Sequence, residues 1–277
     1  MAAPARFAMS VDVEDYFQVW AFSGVIKRED WDSYALRAED NTRRLLDLFD
    51  AKGAKATFFT LGWVAERAPR LIRDIAARGH EVASHGYDHR KVFDQTPDEF
   101  RADLLKTKAI LEDAGGARVR GFRAAGFSID ARTPWAHDIL AETGHDYSSS
   151  SHPIAHDHYG DPDAPRGTHK IGGVIEAPVA TAEVFGRRIS CAGGGWFRAA
   201  PYEVSKPLID RASATIDGPV IFYLHPWEVD PGQPRIAAAP LKSKLRHYVN
   251  LGVMEQKLAR LLTAYQWTRV DRALGLS

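Results

Sequence analysis

At 277 residues the chain can bury a full core, and it suits one large α/β domain as readily as two small ones. Lys+Arg and Asp+Glu are equal at 36 each, so no net field draws it to nucleic acid or to an anionic membrane, and only a local basic patch would serve for either. Cys191 is the single cysteine, which excludes an intramolecular disulfide and a cysteine-based zinc knot. No run of about 18 apolar residues is present, so no membrane-spanning helix is expected. Met1 to Arg6 is too short for a signal sequence, and a cytoplasmic location is the expectation, although a chain whose leader had been removed would read the same way.

Phe7-Ala8-Met9-Ser10-Val11 is a short uncharged apolar run, as a buried parallel strand should be. It leads into Asp12-Val13-Glu14-Asp15. Such an acidic cluster is most often a solvated turn, but this one stands at the end of a buried strand, where α/β folds place their chemistry. Tyr16 to Leu36 is rich in rings (Phe17, Trp20, Phe22, Trp31, Tyr34), most of them expected to pack and the rest able to line a sugar groove. A βα rhythm follows. Asp40 can cap a helix carrying Leu45, Leu46 and Phe49, stopped by Gly53. Ala56 to Leu61 reads as a second strand, and Pro69 to Arg78 as a helix with Gly79 as its stop. A third strand, Glu81-Val82-Ala83, opens into Ser84-His85-Gly86-Tyr87-Asp88-His89.

Thr96-Pro97-Asp98-Glu99 is a capping box with proline at the first helical position. That helix runs to Gly115-Gly116. Val119 to Phe122 is a fourth strand ending in Arg123, Thr133-Pro134 opens a helix closed near Gly144, and Asp146 to Ser149 is a fifth strand. The section 150–170 reads as loop. Its His152, His156, His158 and His169 are irregularly spaced and lack a hydrophobic scaffold, so they read as solvated residues rather than a second metal site. Val174 to Val179 is a strand. Gly193 to Arg198 is a flexible turn without the lysine or spacing of a phosphate loop. A helix from Pro201 to Thr215 precedes the most hydrophobic strand, Pro219 to Leu224, which ends in His225-Pro226-Trp227-Glu228. One long helix over Leu241 to Ala264 follows, and Trp267 to Val270 closes the sheet. Without repeat or linker, 1–277 reads as one domain with a distinct C-terminal region from about 190.

Four reactive groups thus fall at the ends of different strands: the Asp12/Glu14/Asp15 cluster, the His85/His89 pair, Arg123 and His225. A parallel (β/α) barrel puts those ends on one face. The fold expected is α/β, a distorted barrel of about seven strands. Two histidines and one carboxylate make a site with open positions, suited to one divalent metal ion, Zn²⁺ first, with Co²⁺ or another ion as alternatives. A second carboxylate can deprotonate a water, a separate histidine can protonate a leaving amine, and Arg123 can hold the basic carboxylate ionised.

These segments resemble the polysaccharide deacetylases of the NodB-homology type, carbohydrate esterase family 4, and within them the branch associated with bacterial exopolysaccharide and exosortase gene clusters. The resemblance covers about residues 6–270. Ser10 to Phe17 is similar to the first motif, whose leading aspartate serves as general base and whose following acid binds metal. Ser84 to His89 is similar to the second motif, which supplies both metal histidines. Gly121 to Ser128 resembles the third, whose arginine orients the base, and Phe222 to Glu228 the last, whose histidine is the general acid. The resemblance also implies an oxyanion hole using a main-chain amide just after the first motif. It marks Gly126, Phe127 and Trp227 as candidate substrate contacts.

The chain departs from the family in three places. Asp12 is followed by Val13-Glu14-Asp15 instead of a second adjacent aspartate. Residues i and i+2 of an extended strand share a face, which favours Glu14 as the metal ligand and keeps Asp15 as the alternative. Ala125 stands where the third motif carries proline. The fourth-motif aspartate near Ser148 is missing, with Asp146 two residues away. The implied activity is metal-dependent removal of N-acetyl groups from N-acetylhexosamine units of an exopolysaccharide or its precursor. A metal-dependent amidase on a small non-sugar amide and a silent sugar-binding module are the alternatives. The partner expected is a polysaccharide or oligosaccharide rather than nucleic acid, and the oligomeric state is left open.

Overall fold

A computed structural model describes residues 6–155 and 160–276. Within these residues eleven strands form: β1 Phe7–Val13, β2 Ala56–Thr60, β3 Glu81–Ser84, β4 Gly121–Phe122, β5 Tyr147–Ser148, β6 His169–Ile171, β7 Val174–Glu176, β8 Thr181–Val184, β9 Arg187–Ser190, β10 Val220–Leu224 and β11 Trp267–Thr268. The main sheet has nine strands in the order β10-β1-β2-β3-β4-β5-β7-β6, with β11 beside β1. Seven of them, β10 through β7 along that path, pair in parallel as expected, and β6 adds an antiparallel edge. Among the described residues, the path closes through isolated bridges, Val179 to Ile221 and Gly193 to Tyr223. The result is an α/β fold whose sheet curls into a distorted, incompletely closed barrel.

Among the described residues, ten α-helices surround it: α1 Ala38–Ala51, α2 Gly62–Arg67, α3 Pro69–Ala77, α4 Pro97–Gly115, α5 Ala136–Glu142, α6 Gly194–Ala199, α7 Tyr202–Thr215, α8 Leu241–Tyr248, α9 Leu251–Ala264 and α10 Val270–Ala273. Among the described residues, no helix is long and apolar enough to cross a membrane. The capping box at Thr96 forms as expected, with the Thr96 amide donating to Glu99 Oε2 at 2.8 Å and the Glu99 amide to Thr96 Oγ1 at 3.3 Å. The barrel interior is filled by Phe59 and Tyr147 between small neighbours, Ala8, Ala83 and Ala177. Gly121 is one of the small residues this packing requires, because a Cβ there would overlap the Tyr147 ring.

Register decides where the chemistry emerges. Val11 pairs with Leu224, Asp12 with Phe59, Thr60 with Ser84, and Ser84 with Phe122. The residues that follow these positions, Glu14, His85, Arg123 and His225, therefore leave the sheet at one end.

Several local expectations are corrected. The long helix over 241–264 is two helices, broken at Val249-Asn250, where Asn250 takes φ 54°. Gly193 to Arg198 is no flexible turn, since Gly194–Ala199 is helical with Phe197 and Arg198 buried. A hairpin, β8–β9, fills a stretch that carries no strong period. α1 starts at Ala38 without help from Asp40. In the 150–170 section His152 is buried and rings against Phe127, so it is no solvated residue. His169 is half-buried in β6, while His156 and His158 lie outside the described residues.

Candidate active site

β1 is central, flanked by β10 and β2, so the side chains at its end are delivered into the protein rather than to solvent. Asp12 and Glu14 are both buried and both line a cavity of about 570 Å³. The strand alternation therefore does place them on one face. Asp15 points elsewhere. Its Oδ2 accepts the amides of Arg37 (2.5 Å) and Ala38 (2.7 Å) at the start of α1, and its Oδ1 accepts the amide of Tyr16 at 2.8 Å. It is the cap that α1 lacks locally, and it stands outside the cluster for which it was an alternative.

His85 follows β3 directly, held by its amide on the Thr60 carbonyl at 3.0 Å. Gly86 at φ 75° turns the chain, and His89 itself adopts φ 59°, an unusual conformation for a residue with a Cβ. The turn brings one ligand atom each from Glu14, His85 and His89 within 4.8 Å of one another. His85 Nδ1 lies 2.8 Å from the Arg123 carbonyl, which fixes Nδ1–H as the donor and leaves the Nε2 lone pair for the cavity. Glu14 Oε2 is buried and 2.8 Å from His89 Nε2, yet it makes no aligned hydrogen bond. A carboxylate oxygen and an imidazole nitrogen converging beside the His85 ring are together able to ligate one divalent cation. Burial holds the His85 imidazole down to about 4, the neutral ligating form, despite the nearby charge of Asp12. Burial also opposes the charge on Glu14, but the surrounding imidazoles, His89 foremost, outweigh it and hold the carboxyl at about 2. The donor set fits one divalent ion.

Arg123 is fully buried. Its Nη1 donates to Asp12 Oδ1 at 2.6 Å and to Ser10 Oγ at 2.9 Å, while Nε and Nη2 are bound by the carbonyl and hydroxyl of Ser149. With the guanidinium 4.2 Å over the Phe59 ring, the carboxylate has one orientation.

On the other side, His225 Nε2 lies 4.0 Å from Asp12 Oδ2 and 3.6 Å from Glu14 Oε1. Its Nδ1 meets Glu228 Oε1 at 2.9 Å, and Glu228 Oε2 accepts from Arg198 Nε at 2.6 Å. Burial pushes the His225 pKa down, but the Glu228 hydrogen bond and the charges of Glu14, Glu228 and Asp12 lift it to about 9. Glu228 and Arg198 are the two partners that sequence reasoning did not assign. For Glu228 a signal existed: an acid three residues after His225, behind Pro226 at a helix start. For Arg198 none did. Gly194 admits the pair, since a Cβ there would overlap the Glu228 carboxylate. Asp146 is instead paired with Arg118 (2.7 Å) and Arg120 (2.8 Å) and does not line the cavity.

Gly126, Phe127 and Trp227 all line the cavity. Phe127 packs edge-on against Tyr223, and Trp227 stacks on His225 at 5.0 Å while its Nε1 approaches Glu14 Oε1 at 3.4 Å. The amides expected to help an oxyanion hole after β1 are engaged internally at Glu14, Asp15, Tyr16 and Gln18. Among the described residues, the Gly126 amide on the cavity wall has no such partner.

Residues 30–148 match the family described as polysaccharide deacetylase, and residues 149–275 match a domain of unknown function, DUF3473. A peptidoglycan-N-acetylglucosamine deacetylase of Bacillus cereus is 32% identical over 130 residues, 45% of this chain and 46% of that protein. A peptidoglycan deacetylase of Helicobacter pylori is 28% identical over 54% of this chain and 50% of its own length. A chitooligosaccharide deacetylase of Bradyrhizobium is 30% identical over 36% and 43%. The chain thus spans half or less of the length of these curated relatives. Among solved structures, a candidate polysaccharide deacetylase from Mycobacterium smegmatis aligns with TM-score 0.60 at 20% identity, over 96% of this chain and 90% of that one. A pseudoenzyme of carbohydrate esterase family 4 from Bacillus anthracis aligns with TM-score 0.52 at 16% identity, over 100% and 67%. The fold is therefore the NodB-type (β/α) barrel, and residues 30–148 carry the sequence signature of the polysaccharide deacetylase family.

Proposed function

We propose that this chain is a metal-dependent hydrolase that removes N-acetyl groups from N-acetylhexosamine units of an exopolysaccharide or its precursor, acting as one domain. The observation that carries this reading is the grouping around one cavity of the Glu14/His85/His89 cluster, the Arg123-bound Asp12 and the Glu228-bound His225. The polymer class rests on the motif resemblance, and the names of the relatives are consistent with an N-acetylated sugar.

In this reading Glu14, His85 and His89 hold a divalent ion, with Asp15 excluded by its work on α1. When bound, the ion supplies Lewis-acid polarisation of the acetyl carbonyl and acidifies a water. Asp12 accepts the proton of the attacking water. Arg123 aims that carboxylate through the 2.6 Å charge-assisted bond. His225, protonated and 4.0 Å from Asp12, delivers a proton to the departing amine nitrogen. Gly126 offers its amide and Phe127 its ring to the substrate, with Trp227 setting the His225 plane from behind.

The test is acetate release from N-acetylglucosamine oligomers by protein reconstituted with Zn²⁺ or Co²⁺, against a chelated control. Metal-dependent acetate is the expected result. A protein that binds one equivalent of metal and sugar without turnover would overturn the enzymatic reading in favour of a silent module. The pseudoenzyme among the structural neighbours shows that this fold alone does not decide between them.

A further inference from the structure

One charged side chain on the cavity wall has no part in the proposed reaction. Lys91 lines the same cavity as Asp12 and His225, yet it is only 6% exposed. Its backbone is pinned, because the Lys91 carbonyl accepts the Asp94 amide at 3.1 Å and Gln95 Nε2 at 3.3 Å. The side chain runs along the wall between Gly126 and Trp20, which also line the cavity. Its Cε lies 3.6 Å from where a Cβ on Gly126 would stand. Its Nζ is 3.2 Å from the centre of the Trp20 ring, with the Phe93 ring at 5.1 Å.

Those rings stabilise the positive charge but offer it no oxygen. Among the described residues, no carboxylate stands within ion-pair distance of Nζ and no oxygen accepts a hydrogen bond from it. Asp94 and Arg132, the charged groups whose fields reach it, are opposite in sign. The carboxylates of the cavity are committed elsewhere: Asp12 to Arg123, Glu14 to His89, and Glu228 to Arg198 and His225. An ammonium carries three donors, so the Trp20 face leaves it able to bond an anion. Burying a cation without a counter-charge costs stability, and its place on a cavity wall points to a ligand that supplies the anion.

We infer that Lys91 is a specificity-determining residue that receives an anionic oxygen group, carboxylate or phosphate, of the saccharide held in the cavity. The substrate class narrows accordingly to an acidic glycan. Its charge sits either on an acidic sugar of the chain or on a phosphate linking the N-acetylated sugar to a carrier. A neutral oligomer leaves the ammonium desolvated and unpaired, so the site disfavours it as well as favouring the acidic one. That the ligand is a saccharide rests on the deacetylase reading.

The experiment is titration calorimetry on the metal-loaded full chain carrying Asp12→Asn, so that ligand is not consumed. Two pairs of probes are compared. The first sets a tetrasaccharide alternating N-acetylglucosamine and glucuronic acid against the N-acetylglucosamine tetramer. The second sets N-acetylglucosamine 1-phosphate against methyl N-acetylglucosaminide. The acidic member of at least one pair is expected to bind about 10–100-fold tighter, the worth of a charge-assisted hydrogen bond. Adding Lys91→Met brings that ratio to near one, and Lys91→Arg keeps the preference. Preference in the first pair places the anion on an acidic sugar, and preference in the second places it on the carrier linkage. Equal binding within both pairs, or a preference that survives Lys91→Met, would overturn the inference. The ratio with Lys91 in place requires no further variant, so it decides even where Lys91→Met folds poorly. Acetate release by the wild type is assayed alongside. Release with equal binding in both pairs falls on this inference alone, and a binding preference without release falls on the reaction alone.

Discussion

Arg198 Nε donates to Glu228 Oε2 at 2.6 Å with both side chains buried, and the other Glu228 oxygen meets His225 Nδ1 at 2.9 Å. The same guanidinium reaches the carbonyls of Arg246, His247 and Val249, which end α8. One buried cation therefore fixes both the partner of His225 and the break between α8 and α9. Such a cation at a helix C-terminus satisfies carbonyls that have no intrahelical donor.

Glu228→Gln tests what this arrangement does to His225. The amide keeps the shape and one acceptor oxygen for the His225 Nδ1–H, sets its NH2 toward Arg198 Nε, and removes the negative charge, so the His225 pKa falls from about 9. A general acid must carry its proton, and the rate falls as pH rises through its pKa. The alkaline limb of kcat/KM therefore moves to lower pH in the variant, with a loss of about 10–100-fold at the wild-type optimum. An unmoved limb would separate His225–Glu228 from proton delivery. Glu228→Ala is expected to cost about 3–5 kcal/mol of stability, because it leaves Arg198 buried without a counter-charge.

Asp12→Asn addresses the other side of the cavity. Arg123 retains Ser10 and both Ser149 groups, so the variant should fold. The proposed base is gone, and acetate release should drop by about 10²–10⁴ while one equivalent of metal stays bound. Loss of metal together with activity would instead make Asp12 a ligand.

The site was legible where a reactive residue directly follows a short apolar strand. β1, β3 and β10 are uncharged or nearly so until Asp12, His85 and His225, and the parallel register does the rest. What the sequence concealed depends on residues far apart along the chain. Asp15 caps a helix that starts 23 residues later, and Arg198 reaches Glu228 across 30 residues. His152 is buried by Phe127 and Tyr223, rings that belong to two other strand ends. Helix α8 ends where it does because Arg198 takes its carbonyls and Asn250 can enter the left-handed region. Neither fact leaves a periodic trace.

Glu14 and Asp15 are adjacent acids with opposite expected phenotypes. Glu14→Gln should weaken metal binding by at least about 10–100-fold with little change in the metal-free melt. Asp15→Ala should keep metal at one equivalent but lower stability by about 1–2 kcal/mol, since two amides at the start of α1 lose their acceptor. Titration of metal into both variants, with thermal melts in chelator, checks the pair. Metal loss in Asp15→Ala at full stability would reverse the assignment.

The opposite end of the barrel carries a titration of its own. Glu81 is buried, with Oε1 accepting from the Tyr147 hydroxyl at 3.0 Å and Oε2 from Thr57 Oγ1 and the Asp271 amide. Burial, with the Asp271 carboxylate nearby, raises its pKa from 4.5 to about 8. Because the folded value lies above the unfolded one, the native state holds a proton that the unfolded chain releases. Its contribution to stability is fully present below about pH 4.5 and is lost as pH rises through about 8. Glu81→Gln resembles the protonated acid and cannot titrate. The difference in unfolding free energy between variant and wild type should therefore shift in favour of the variant from pH 5 to pH 8, by on the order of a few kcal/mol. Denaturant melts of both proteins at those two pH values measure the shift directly. A difference that stays constant with pH would mean that Glu81 is already ionised in the folded protein.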